Sequence, residues 1–331
     1  MYKISDTNVT KIDKTTFSNI NYRESDIEEL LRKNIEMICD DEESMLIVGK
    51  QVRNASNGIS DLTAIDHEGN IVLIEIKRDR KDIERRKEAF EFQAIRYAAS
   101  YATIEDVEDL VKRIYAPYIE KYRGEFESGP LTSTELGTRK VLEFLRENGK
   151  DSTDFNNKQK IILVAADYDE QTLSAVAWLN SNTVDISCYK LIPYQINDDL
   201  YISTEKVLPV NSYHDFYVPF TETRAKISSR KETTRRNLPK IDAMLEWGVV
   251  KAGDIIVAKG KEVEGVLLAN GNVQVNGEEQ SMQRWLKGVF GWSSVQTYMF
   301  AVHQETGKTL SELRAEYMER EKEEDTLETW N

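Results

Sequence analysis

Gly58-Ile59-Ser60-Asp61-Leu62-Thr63-Ala64-Ile65-Asp66, then His67-Glu68-Gly69-Asn70, then Ile71-Val72-Leu73-Ile74-Glu75-Ile76-Lys77 reads as two strands joined by a tight turn. Apolar and β-branched residues fill both runs, and the four residues between them are turn formers. Side chains of a strand alternate between faces, so Leu73, Glu75 and Lys77 share one side of the second strand while Val72, Ile74 and Ile76 share the other. Two charges on so apolar a strand are costly to bury unless they pair with each other or meet a metal. The hairpin brings Asp61 within reach of Glu75. Asp61, Glu75 and the Ile76 carbonyl form an oxygen cage suited to Mg²⁺ or Mn²⁺, with Lys77 placed to orient a water or offset developing charge. The chemistry that calls for such a set is phosphodiester hydrolysis.

Outward from the hairpin the pattern alternates between strands and helices. Ile27, Leu30, Leu31, Ile35 and Ile38 keep helical spacing, with Ser25 as expected cap and Glu28 as its capping-box acid. Met45-Leu46-Ile47-Val48 reads as a buried strand, and a long amphipathic helix is expected from about Asp82 to Tyr101. Residues 104–148 look helical, broken at Gly129-Pro130. Ile161 to Ala166 has the all-apolar pattern of a strand buried on both faces, followed by a helix from Glu170 to Asn180 and a strand from Asp185 to Ile192. The first 20 residues are expected to hold a short edge strand. This is an α/β arrangement.

Residues 221–237 carry Arg224, Lys226, Arg230, Lys231, Arg235 and Arg236 with almost no large apolar side chain, and read as a basic linker. The expected division is a first domain over 1–220, this linker, and a smaller α+β domain over 238–331. In the latter, Ile241, Leu245 and Val249 keep helical spacing and Asn270-Gly271 marks a hairpin. Helices are expected near Ser281 to Lys287 and Leu310 to Glu319, followed by a frayed acidic tail.

Four places in the first domain resemble the PD-(D/E)XK nuclease superfamily, and more narrowly its mismatch and single-strand endonuclease group. They are Glu24-Ser25-Asp26-Ile27-Glu28, Ile59-Ser60-Asp61-Leu62, Ile74-Glu75-Ile76-Lys77-Arg78 and Gln93-Ala94-Ile95-Arg96-Tyr97-Ala98. The resemblance implies a restriction-endonuclease-like core, a mixed sheet flanked by helices, in a metal-dependent endonuclease acting on DNA. It implies Asp61 and Glu75 as ligands, Lys77 as catalytic cation, Glu28 as an accessory acid with Glu24 and Glu29 as rivals, and Gln93 as a helix-borne group near the site. Ser60 stands where the superfamily name has Pro. Residues from about Pro239 to Met318 are similar to the small accessory domain associated with restriction and adenine methylation, which implies a role in selecting foreign or modified DNA. Trp285, Trp292 and Tyr298 are then candidates for stacking on a base, the alternative being the core of a small domain. A catalytically silent interaction module on a nuclease fold, a DNA-repair nuclease and an RNA-directed nuclease stand as alternatives.

Composition bounds these readings. The chain has 58 acidic and 44 basic residues, a formal net charge of -14, which is unlike a protein that coats nucleic acid over its whole surface. The surplus is local: nine acids to two bases over residues 24–43 and seven to two over 316–328. Phosphate contacts are therefore expected at basic patches, at Arg78, Arg80, Arg85 and Arg86 and in the linker. Interleaved Asp79, Asp82, Glu84 and Glu88 make a salt-bridged helix face the alternative. Cys39 and Cys188 lie far apart without metal spacing, pointing to a reducing cytoplasm, and no stretch has the length or apolarity to span a membrane. Cleavage of both strands by one site per chain would call for a homodimer.

Overall fold

The computed structural model describes residues 1–39, 41–55, 58–85, 88–126, 129–210 and 238–328, with side chains to residue 321. Arg86 and the expected basic linker lie outside the described residues. The chain forms two compact units, Met1–Ile38 with Met45–Val210, and Cys39–Ser44 with Asn211–Asn331. Among the described residues, no helix is long and apolar enough to cross a membrane.

The first unit is built on β1 (Tyr2–Ser5), β2 (Asn8–Lys11), α1 (Glu24–Lys33), β3 (Met45–Arg53), β4 (Ile59–Asp66), β5 (Ile71–Lys77), α2 (Arg80–Glu84), α3 (Phe90–Tyr101), α4 (Val107–Leu110), α5 (Ala116–Lys121), α6 (Ser133–Glu147), β6 (Gln159–Ala165), α7 (Glu170–Ser181), β7 (Ile186–Ile196) and β8 (Asp199–Leu208). Its six-stranded mixed sheet runs β3-β4-β5-β6-β7-β8, flanked by helices. The β3-β4-β5 meander is antiparallel, β5, β6 and β7 are parallel, and β8 returns antiparallel. Every residue of β5 is buried, which accounts for its near-continuous apolar run.

The β4–β5 turn is the four-residue loop read from the sequence. Gly69 holds φ +87°, and a Cβ there would stand 3.1 Å from the Asp154 carbonyl and 3.2 Å from Leu145 Cδ2. Asp66 Oδ1 accepts from the backbone N–H of Glu68 and Asn70 at 3.0 and 2.9 Å, closing the loop.

Several expectations are corrected. The first strands, β1 and β2, pair only with each other rather than edging the main sheet. Helix α1 begins at Glu24, and the Asp26 carboxylate takes the Arg23 N–H at 2.7 Å, so Ser25 is not the cap and Glu28 is not a capping-box acid. The expected helix over 82–101 is two helices, because residues 84–89 carry charges and no large apolar side chain to hold a helix against the sheet. Residues 104–148 break more often than expected, with a π-helical turn over Val111–Tyr115 between α4 and α5.

The second unit contains α8 (Ile241–Glu246), β9 (Ile255–Ala258), β10 (Glu264–Leu267), β11 (Val273–Val275), β12 (Glu278–Gln280), α9 (Met282–Phe290), α10 (Thr297–Phe300), β13 (Ala301–His303), β14 (Lys308–Thr309) and α11 (Leu310–Glu328). Its six short strands form an antiparallel sheet in the order β12-β11-β10-β9-β13-β14. Helix α11 continues through the acidic segment expected to fray. Residues Cys39–Ser44 are held within this unit: the backbone N–H of Gln296 donates to Ser44 Oγ and its side-chain amide to the Glu42 carbonyl, and Arg314 pairs with Glu42 at 2.7 Å.

Candidate metal centre

Helix α1 turns Ile27, Glu28, Leu31 and Arg32 into the protein. Side chains four apart on a helix lie one above the other, so Glu24 projects beside Glu28. Docking of this stripe lays both glutamates over the start of β4, where Asp61 is buried. One carboxylate oxygen from each of Glu24, Glu28 and Asp61 lies within 4.8 Å of the others. Oxygen ligands of one Mg²⁺ or Mn²⁺, each at about 2.0–2.6 Å, lie at most about 4–5 Å apart, so the three fit a single hard cation.

Asp61 Oδ2 accepts the backbone N–H of Ile76 at 2.7 Å, which ties the carboxylate to β5. Lys77 is 2% exposed, and its Nζ lies 2.9 Å from Glu24 Oε1 and 3.9 Å from Asp61 Oδ2, over the Phe90 ring. It also donates to the Ile76 carbonyl. That carbonyl, expected as a metal ligand, thus accepts from Lys77 with one of its two lone pairs.

The electrostatics separate the three candidate glutamates of α1. Burial and then the nearby charge of Asp61 push Glu28 up to about 7, with Glu24 adding to the rise; the amide of Gln51 and the ammonium of Lys50 oppose it. Glu29 is drawn down to about 2 by its bonds to Arg32 and Lys50. Arg32 in turn bonds Glu125 and the Tyr118 hydroxyl and stacks over Tyr122, 4.1 Å from the ring centre. Glu29 thus belongs to a structural ion-pair network, while Glu24 and Glu28 face Asp61. Two buried carboxylates with a half-buried third beside them form the kind of mutually repelling group that a bound cation relieves.

Glu75 is fully buried on the Asp61 side of the sheet. It is not a member of the compact carboxylate group. Gln93, expected beside the site, donates through Nε2 to the Tyr97 hydroxyl at 3.2 Å, and that hydroxyl accepts the N–H of Ile59 at the start of β4. The pair thereby steadies the strand that carries Asp61.

Sequence reasoning missed two residues. Gln51 on β3 donates from Nε2 to Glu28 Oε1 at 2.8 Å and to Asp61 Oδ1 at 3.3 Å. Nothing in the run Met45–Arg53 marks it out in the sequence. Asp79, just past β5, accepts from the N–H of Phe17 and Ser18 and from the Ser18 hydroxyl, fastening the N-terminal segment beside the sheet.

The expected phosphate contacts are largely paired. Arg78 bonds Asp82 at 3.1 Å and Arg80 bonds Glu84 at 2.7 Å, the i,i+4 pairs of a salt-bridged helix face. Arg85 is exposed. Trp285, Trp292 and Tyr298 are 4%, 8% and 3% exposed. Trp292 packs with Phe290 and Phe300, and the Tyr298 hydroxyl accepts the Ile241 N–H beneath the Arg314 guanidinium. The expectation that these three stack on a base is corrected: they are buried in the core of the small unit together with Met244, Leu267, Leu286, Phe300 and Leu310.

Comparison of the chain with protein-family models, with curated proteins and with solved structures returns no match.

Proposed function

We propose that the chain is a divalent-metal-dependent phosphodiesterase that cuts DNA, with its first unit a restriction-endonuclease-like core. The observation that carries this reading is the meeting of Glu24, Glu28 and Asp61 within 4.8 Å beside a buried lysine at one end of the β4–β5 hairpin. A buried ammonium beside a set of carboxylates has little structural use, since an apolar residue would fill the same space at lower desolvation cost.

Glu24, Glu28 and Asp61 are the groups that would hold Mg²⁺ or Mn²⁺, with Glu75 behind them on the same side of the sheet. When bound, the metal would supply Lewis-acid polarisation of a phosphodiester and a water of lowered pKa. The chain's own residues do the rest. Asp61, fixed by the Ile76 N–H, sets the site's position relative to β5. Lys77 places a positive charge next to Asp61, where it stabilises negative charge building on a phosphoryl oxygen. Glu28, raised to about 7 by burial and by Asp61, would give up its proton to take a cation near neutral pH.

The test is cleavage of plasmid, single-stranded DNA and RNA in Mg²⁺ or Mn²⁺ by the wild type and by Asp61→Ala and Lys77→Met. Metal-dependent cutting lost in both variants is the expected outcome. Equal cutting by all three proteins, or none on any substrate, overturns the reading, and preference for RNA redirects it.

A further inference from the structure

Gln51 joins helix α1 to strand β4 through a single amide group, which reaches both Glu28 and Asp61. Its backbone is in the left-handed region, φ +56°, which residues with a side chain of this size rarely occupy. Consecutive residues of a regular strand face opposite ways, yet Lys50 and Gln51 both reach the Glu28 carboxylate, Lys50 Nζ at 4.0 Å from Oε2. The departure from regular geometry falls at Gln51 itself. The residue is exposed while the carboxylates it bonds are buried, so it stands at the solvent side of the group.

We propose that Gln51 is a positioning residue of the metal centre. Its neutral amide donates to two carboxylates that would otherwise repel each other, keeping two of the three ligands at chelating separation while no cation lies between them. A lysine in that place would add a charge that competes with the cation; an aliphatic side chain would remove the donor that links Glu28 to Asp61. The amide does neither. The strained backbone at Gln51 is the conformational cost of directing that side chain into the group. This inference rests on reading the site as a divalent-metal centre.

The experiment compares wild type, Gln51→Gly and Gln51→Met by calorimetric Mn²⁺ titration, thermal melting without metal, and the Mn²⁺ concentration giving half-maximal DNA cleavage. Gln51→Gly relaxes the left-handed backbone while removing the amide, and Gln51→Met keeps the bulk but not the donor. The expected result is Mn²⁺ affinity lower by about 10- to 100-fold in both variants, the range for outer-shell partners of metal ligands. The metal-free melting point of Gln51→Gly should be no lower than that of wild type, and cleavage at saturating Mn²⁺ should be largely retained. Equal Mn²⁺ affinity in all three proteins overturns the role of Gln51 and leaves the metal centre standing. Absence of Mn²⁺ binding by the wild type overturns both.

Discussion

The two ends of the β4–β5 hairpin each bury a carboxylate, and they do so in opposite ways. At the loop end, Asp66 is surrounded by backbone N–H donors from Glu68 and Asn70. At the open end, Asp61 and Glu28 take hydrogen bonds, but their other neighbours include further carboxylates. Both ends are desolvated: burial raises Asp66 to about 6, and burial together with the charge of Asp61 raises Glu28 to about 7. The difference lies in what opposes the rise. After burial, the strongest influence on Asp66 is the Lys160 ammonium, which with Asn70 pulls it down against the neighbouring Glu68; the strongest on Glu28 is the Asp61 carboxylate, which pushes it further up against the opposition of Gln51 and Lys50. A carboxylate held by its own loop serves the fold. Carboxylates gathered from a helix and a strand, against their mutual repulsion, serve something else.

Asp61→Asn is the sharpest way to test that contrast. The amide oxygen still accepts the Ile76 N–H, and one of the repelling charges is gone. Cleavage should fall by at least about 10²–10³-fold, the scale on which removal of a single electrostatic group from an active site is felt. Stability in urea should be unchanged or higher. A loss of stability comparable to that expected at the other end would make Asp61 a structural residue and erase the distinction.

Asp66→Ala should do the reverse. The N–H groups of Glu68 and Asn70 lose their acceptor in a partly buried turn, at a cost of about 1–2 kcal/mol in urea unfolding. The fraction that remains folded should cleave at the wild-type rate and bind Mn²⁺ with the wild-type affinity.

How far these features could be read from sequence follows from the distance over which each is determined. The hairpin was legible because alternation and turn chemistry are local, and the sharing of one strand face by Glu75 and Lys77 followed from the same period. The approach of Glu28 to Asp61 was expected through the family resemblance alone, with Glu24 and Glu29 as rivals; spacing along the chain could not give it, since it depends on docking of α1 through Ile27 and Leu31, 34 and 30 residues from Asp61. Nor was the exclusion of Glu75 from the compact group legible. Glu24, Glu28 and Glu29 looked alike as text, and only the placement of Arg32 and Lys50 separates Glu29 from the others. Gln51 was hidden for another reason: a left-handed glutamine within a strand has no sequence signature. The aromatic residues of the second unit misled because stacking platforms and small-domain cores draw on the same residue types.

The smallest effect expected is also the one that compares both ends in a single measurement. Each carboxylate has a folded-state pKa above its ordinary value, 4.5 rising to about 7 for Glu28 and 3.8 rising to about 6 for Asp66. The folded protein therefore binds more protons than the unfolded chain between those limits, and stability falls as pH rises through them. For Asp66 the loss runs from about pH 4 to 6 and for Glu28 from about pH 4.5 to 7, with no further change from these groups above pH 7. Urea unfolding of the metal-free protein should follow that slope. Glu28→Gln should flatten its upper part, between pH 6 and 7, and lessen without abolishing the lower part, where Asp66 still contributes. A saturating divalent cation requires an ionised Glu28, so it should stabilise the protein increasingly as pH rises over the same upper interval and offset the loss there. It has no such claim on Asp66, whose part of the slope should persist in Mn²⁺. If Mn²⁺ leaves the whole profile unchanged, the carboxylates at the open end are no more a metal centre than the one at the loop.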